Sequence, residues 1–355
     1  MATNREVLRL LHSMRVEVDA TVDATTRLLV RGWATAWDEL AREWEGALTD
    51  LVKASTDGAW PSRSQIVRAE RAMRALDATR ARLDVLSTQS GVSIMQGMPD
   101  MTAAAAEWEA RLTAAQMPTT AGTQSALTAT FNRLDPTALE AIVTRTTTQV
   151  TSLLQPLSAR ATQSMTASLI RGVALGDNPR TTARLMLKRV EGDFNGGLTR
   201  ALTIARTETL DAHRTASREQ DMANLDVLGG WEWHTELSAR TCSSCLAQNG
   251  TVHPVDEPGP NDHQNGRCAR SPITKTWRDL GFNIDEPRSL TPDAQAWFGN
   301  QPEATQLQIM GPGRLELLKS GQVSWADLST KRATAGWRDS YGTTSLRDLT
   351  ARAAA

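Results

Sequence analysis

Residues 240–268 read RTCSSCLAQNGTVHPVDEPGPNDHQNGRC, and this stretch decides how the carboxyl half of the chain folds. All three cysteines of the protein lie in it, at Cys242, Cys245 and Cys268, together with His253 and His263. A CxxC pair sets two thiolates on one tight turn, and a His-x4-Cys pair further on can close a tetrahedron of three sulfurs and one nitrogen around zinc. The segment between the pairs, LAQNGTVHPVDEPGPND, carries three prolines and two glycines and too little apolar content to order itself, so it needs a staple. His253 is a competing nitrogen ligand, and Asp262 is either a ligand or an acceptor that orients its neighbour. The closeness of His263 to Cys268 favours Cys242, Cys245, His263 and Cys268 as the metal set. Two other readings compete. A redox CxxC pair suits a helix start after a strand better than a Pro/Gly-rich loop, and free cysteines also serve as ordinary buried apolar side chains.

Working outward, 355 residues suffice for two or three domains, and a formal charge of -1 supplies no global basic field for nucleic acid. There is no run of 18 apolar residues, and acids and arginines interrupt the apolar pattern of MATNREVLRLLHSMRVEVDA, so neither a membrane span nor a signal peptide is expected. A reducing compartment, which suits thiolate ligands better than disulfides, is the expected setting.

The first 55 residues read as one long helix with an eleven-residue period. Val7, Val18, Leu29, Leu40 and Leu51 form one row and Leu11, Val22, Trp33 and Trp44 the next, which at about 3.67 residues per turn predicts a straight or slightly right-handed seam. Such a rod is about 75 Å long. Asp57, Gly58 and Pro61 break it, and Ser62 or Ser64 caps a second helix bearing Ile66, Ala69, Met73, Leu76, Leu83 and Leu86, giving an antiparallel hairpin. Gly91, Gly97 and Pro99 end that helix; a shorter one surrounds Trp108 and Leu112, and helices resume near Pro136 with a kink at Pro156. Arginines on the second helix are interleaved with Glu70, Asp77 and Asp84 at helical spacing, as on a solvated face. Small strands are expected at Trp231 to Thr235 and Thr251 to Val255, fixed against a helix over 198–228. Beyond residue 281, Pro292 opens a helix, a second holds Leu315, and Thr343 to Ala355 is a short helical end that packs back on the preceding module.

From Ser168 to Ile273 the chain includes SLIRGVALGDNPRTTARLM, then ALTIARTETLDAHRTASREQ, WEWHTELSARTCSSCLAQNGTVHPV and NDHQNGRCARSPI. This succession resembles the phage Mu protein F-like family of minor head proteins, the head morphogenesis proteins of tailed phages. The likeness lies in a glycine-turn helix pair, an Ala-Arg-Thr-Glu helix, a tryptophan strand ending in Arg-Thr-Cys-x-x-Cys and a closing His-containing Cys motif. The family usually closes with His-Pro-Asn-Cys-Arg-Cys; here Gly266 stands where the first of those two cysteines is expected, so a metal would have to use Cys268.

The resemblance implies a non-catalytic virion component inside the capsid. It would dock near the portal protein in several copies, with major capsid or scaffolding protein and packaged phage DNA as further partners, and would act in procapsid assembly, DNA packaging or retention, or ejection, after synthesis in the host cytoplasm. A phage-delivered or polymorphic toxin, ADP-ribosyltransferase-like or nuclease, is the alternative. Three thiolates and one histidine would fill a closed structural zinc site, which argues against chemistry there. Arg206 and Glu208 point about 200 degrees apart on their helix, so Arg206, Thr207 and Glu208 are expected to clamp separate partners in the irregular loop. The fold expected is mainly α, a long helical hairpin or bundle followed by a small zinc-stapled α+β module. It divides into 1–160 (docking and assembly), 165–280 (head-protein domain) and 281–355 (helical extension).

Overall fold

A computed structural model describes residues 3–54, 70–118, 123–155, 157–160, 162–163, 167, 179–333 and 338–354, the side chains of 179–186 and 189 excepted. The expected breaks at Asp57, Gly58 and Pro61, the caps at Ser62 and Ser64, and the Pro156 kink lie outside the described residues. The described chain is mainly helical, with two small antiparallel sheets in its carboxyl-terminal part.

The helices α1 (Arg5–Lys53), α2 (Glu70–Gln96), α3 (Met98–Ala114), α4 (Gln124–Phe131), α5 (Pro136–Leu154) and α6 (Pro179–Met222) come first. Every member of both eleven-residue rows on α1 is buried, which is what a single apolar stripe on a straight helix requires. Helix α2 runs through Gly91, while Pro99 sits in the first turn of α3, where a missing N–H costs nothing. Met73, expected on the apolar face of α2, is exposed. No helix among the described residues is long and apolar enough to cross a membrane.

The contacts sort the chain into two compact units. One comprises residues 20–98 and 144–209. Its centre is aromatic: Trp33 and Trp37 of α1 meet Phe194 of α6 at ring-centroid distances of 5.0 and 5.3 Å. The indole N–H groups of Trp33 and Trp44 donate to Ser90 Oγ and Thr79 Oγ1 on α2, at 3.4 and 3.0 Å, so each buried ring has its polar edge satisfied. Gly197 is required beside them, since a Cβ there would stand 2.8 Å from Trp33 Cη2. Arg71 and Arg82 of α2 pair with Asp50 and Glu39 of α1 on the surface, in keeping with a solvated charged face.

The other unit comprises residues 1–19, 99–143 and 210–355. It holds β1 (Leu228–His234), α7 (Ser243–Gln248), β2 (Val252–His253) and β3 (Ala269–Thr274), with sheet order β2-β1-β3. Helices α8 (Ala294–Gly299), α9 (Glu303–Met310) and α10 (Pro312–Lys319), the hairpin β4 (Ser329–Arg332) with β5 (Ser340–Thr343), and α11 (Leu346–Ala353) follow. The first sheet has a strand the sequence did not announce, because Pro272 breaks the usual strand pattern of ARSPIT. Proline is tolerated there because β3 is an edge. Gln116 covers that edge with its side-chain amide, donating to Pro272 O at 2.7 Å and accepting from Thr274 N at 3.3 Å. Leu246 of α7 packs into one core with Ala294, Phe298, Met310, Leu315 and Leu349, so the segment after 281 folds back onto the cysteine-bearing helix.

Candidate metal centre

Two walls bring the cysteine loop together. On the first, Cys242 is the N-cap of α7, and its sulfur accepts from Cys245 N at 3.4 Å. The two residues between the cysteines are buried against the β4–β5 hairpin. Ser243 Oγ donates to Thr343 Oγ1 at 3.2 Å, and the Ser244 and Ser329 hydroxyls lie 2.8 Å apart. Thr235, just past β1, donates its hydroxyl to Cys245 O at 3.1 Å and stands 3.1 Å from Cys268 Sγ.

The second wall is the return loop, gripped by Arg214 of α6. Its guanidinium binds the Asp262 carboxylate through two contacts, Nη1 to Oδ1 at 2.7 Å and Nη2 to Oδ2 at 2.8 Å. It also donates to Gly266 O at 3.0 Å and, from Nη2, to Cys268 O at 2.9 Å. Asp262 Oδ2 in turn accepts from Cys268 N at 3.0 Å, which sets the backbone of the last cysteine. The turn closes with Gly266 N donating to His263 O at 2.9 Å, and Asn265 takes the positive φ of 62° that asparagine tolerates. Gly266 cannot carry a side chain here, because a Cβ would lie 2.2 Å from Asp262 Oδ2. The Asp262 carboxylate therefore fills the space that a cysteine at 266 would need.

Cys242, Cys245 and His263 present ligand atoms that all lie within 4.8 Å of one another. Tetrahedral zinc bonds of about 2.3 Å to sulfur and about 2.0 Å to nitrogen require donors a little under 4 Å apart, so a small rotamer adjustment closes the set. Cys268 lines the same pocket of about 230 Å³ and is buried in one cluster with Cys245, Trp231 and Trp233. The three cysteines are free thiols. The hydrogen bond from Cys245, with help from His263, holds the Cys242 thiol down at about 4, and the same Cys242 contact raises His263 to about 9. Hydrogen bonds shared with Cys242 and Cys268, together with burial, push the Cys245 thiol up. His263 Nδ1 donates to Gln264 O at 2.8 Å, which leaves Nε2 as the nitrogen free to ligate.

The competing donors are committed elsewhere. His253 stacks on Trp231 at 4.3 Å, and its ring nitrogens meet Thr251 Oγ1 at 2.9 Å and Glu257 Oε1 at 3.1 Å. Asp262 orients the loop through Arg214 rather than facing a metal. Arg206, Thr207 and Glu208, read from the sequence as the clamp, stand two turns earlier on α6, with Thr207 and Glu208 buried. The grip on the loop seen here belongs to Arg214, whose only sequence signal is an arginine on the same helix. A second buried ion pair was equally silent in the sequence: Arg270 Nε meets Asp221 Oδ2 at 2.5 Å and its guanidinium lies over the Trp231 ring at 4.6 Å. Burial and the neighbouring Asp221 push the Glu109 carboxyl beside this pair well above the ordinary range.

Residues 163–271 match the family model described as Phage Mu protein F like protein. The match spans the cysteine loop and its supporting helix and bears out the resemblance read from the sequence. No curated protein and no solved structure matches the chain.

Proposed function

We propose that this protein is a minor capsid, or head morphogenesis, protein of a tailed phage: a non-catalytic component that sits inside the head at the portal vertex and acts in procapsid assembly, DNA packaging or retention, or ejection. The observation that carries this reading is the family match over residues 163–271, which falls on the segment with the most elaborate internal bracing. Zinc held by Cys242, Cys245, His263 and Cys268 is its structural staple. The donor set, three thiols and an imidazole with one nitrogen already fixed by a backbone carbonyl, suits that metal. Four protein ligands leave no coordination position for substrate, so the metal supplies folding energy rather than chemistry.

In this reading residues 165–280 form the stapled module and 281–355 its buttress, as the shared core around Leu246 supports. Residues 1–160 supply docking. Trp33 and Trp44 are spent on internal packing, so contacts with portal, capsid or scaffolding protein fall to exposed apolar positions such as Leu28, Val30, Val85 and Val92. Arg206, Thr207 and Glu208 have a structural role on α6.

Quantitative mass spectrometry of DNA-filled particles and empty procapsids from the encoding phage or prophage tests this. A few to a few tens of copies per portal ring in both is the expected result. Absence from both removes the virion role and brings the toxin reading forward.

A further inference from the structure

A small cavity borders Cys268 and shares Glu236, Arg267 and Cys268 with the pocket of the Cys242 turn. It measures about 30 Å³ and is lined by Arg15 and Asp19 of α1, His213 and Arg214 of α6, Glu236 and Cys268. It has room for one water. Two of these groups have buried polar atoms with no hydrogen-bond partner among the described residues: Arg15, at Nε and Nη2, and His213, at Nε2; Arg15 is the one that carries a charge there. A guanidinium is the most demanding donor among the side chains, and leaving it buried and unmatched is costly.

The neighbouring charges explain why it stays unmatched. Arg214 is saturated by the Asp262 carboxylate and the Gly266 and Cys268 carbonyls. Asp19 is taken by Arg267 at 3.0 Å, and Glu236 is exposed. Burial pulls the Arg15 guanidinium below its ordinary value, and Cys268 is foremost among the groups that pull it back. A metal changes this balance. Zinc displaces the remaining thiol protons to solvent, and three thiolates with one neutral imidazole on a dication leave a site with one net negative charge.

We infer that Arg15 is the counter-charge of the metal-loaded pocket, facing the Cys268 thiolate directly or through one water, so that zinc binding and the seating of the first turns of α1 on the cysteine loop are linked. This rests on the zinc reading proposed above. Linkage is reciprocal: whatever pins residues 5–19 strengthens metal binding, and metal pins residues 5–19. Arg15 acts here as a positioning residue, not as a ligand.

The test uses the full-length chain, with zinc content by elemental mass spectrometry, zinc affinity by competition with a chromogenic chelator, and melting with and without metal. Wild type is expected to bind one zinc per chain. Arg15→Met should weaken zinc affinity about tenfold while leaving the metal-free melting temperature unchanged or raised, because an unmatched buried charge has gone. Arg15→Lys should recover most of the affinity, and Arg15→Gln, which keeps N–H donors without charge, should behave like Met. Hydrogen exchange in residues 5–19 should slow on adding zinc to wild type and not to Arg15→Met. If Arg15→Met lowers metal-free stability and leaves zinc affinity unchanged, the residue is a packing element and the linkage is wrong. If Arg15→Gln binds zinc as tightly as Arg15→Lys, charge is not what the site uses. A wild-type chain that takes up no zinc removes the metal reading itself, and the linkage with it, a result distinct from the other two.

Discussion

The unit formed by residues 20–98 and 144–209 and the unit that carries the cysteine loop solve the same problem by opposite means. The first has a long apolar period to spend, and it builds a dry core of Trp33, Trp44 and Phe194 with hydroxyls placed under the indole nitrogens. The second must order a segment rich in proline, glycine and polar residues, and it does so with buried ion pairs, Arg214 with Asp262 and Arg270 with Asp221. Where sequence cannot supply apolar area, directional contacts to backbone carbonyls take over. The cost is sensitivity: an apolar core relaxes around a cavity, whereas a buried charge that loses its partner does not.

Arg214→Met gives the largest contrast. It strips the buried Asp262 carboxylate of its two-pronged partner, leaving it the longer Arg338 contact at 3.5 Å and the Cys268 N–H, and should cost about 3–5 kcal/mol, with hydrogen exchange accelerated across 242–268 and unchanged across 20–98. Trp33→Ala is the mirror experiment. It too should cost about 3–5 kcal/mol, but the lost protection should fall in 20–98 and 190–209 and leave the cysteine loop alone. If either variant loosened both units equally, the division into two modes of construction would not hold.

A pH series sharpens the comparison on the polar side. Burial, with Arg214 adjacent, depresses His213 from about 6.5 to about 4. A depressed pKa means that the neutral ring is favoured by the fold: the contribution is fully present above 6.5 and is lost as pH falls through 4. Between pH 7 and pH 4 the wild type should therefore lose about 3 kcal/mol more than His213→Leu, read from urea midpoints. Gly266→Ala should have the smallest effect, about 1–3 kcal/mol, because the new methyl meets a carboxylate that Arg214 prevents from yielding.

The same contrast explains what could be read in advance. The eleven-residue rows on α1 and the tryptophan strand β1 were legible because burial imposes a period that survives in the sequence. The neighbourhood of Cys242, Cys245, His263 and Cys268 was legible from spacing. Arg214 and Asp262 were not legible as a pair, since they lie far apart along the chain and are joined only by the path of the loop. Strand β3 was hidden by Pro272, and the reason for Gly266 appears only once the Asp262 carboxylate is seen to occupy the space beside it. Helix bounds erred where glycine was given too much weight, as at Gly91 within α2.

Gln116 has a consequence beyond local bonding. By occupying the outward carbonyl of Pro272 and the outward amide of Thr274, one amide side chain plays the part of a missing neighbour strand. An uncovered edge would be a template on which crowded copies could recruit one another by backbone pairing. With β3 stoppered, that route to polymerisation is shut on this side of the sheet, and association among copies is left to side chains that can be tuned one at a time.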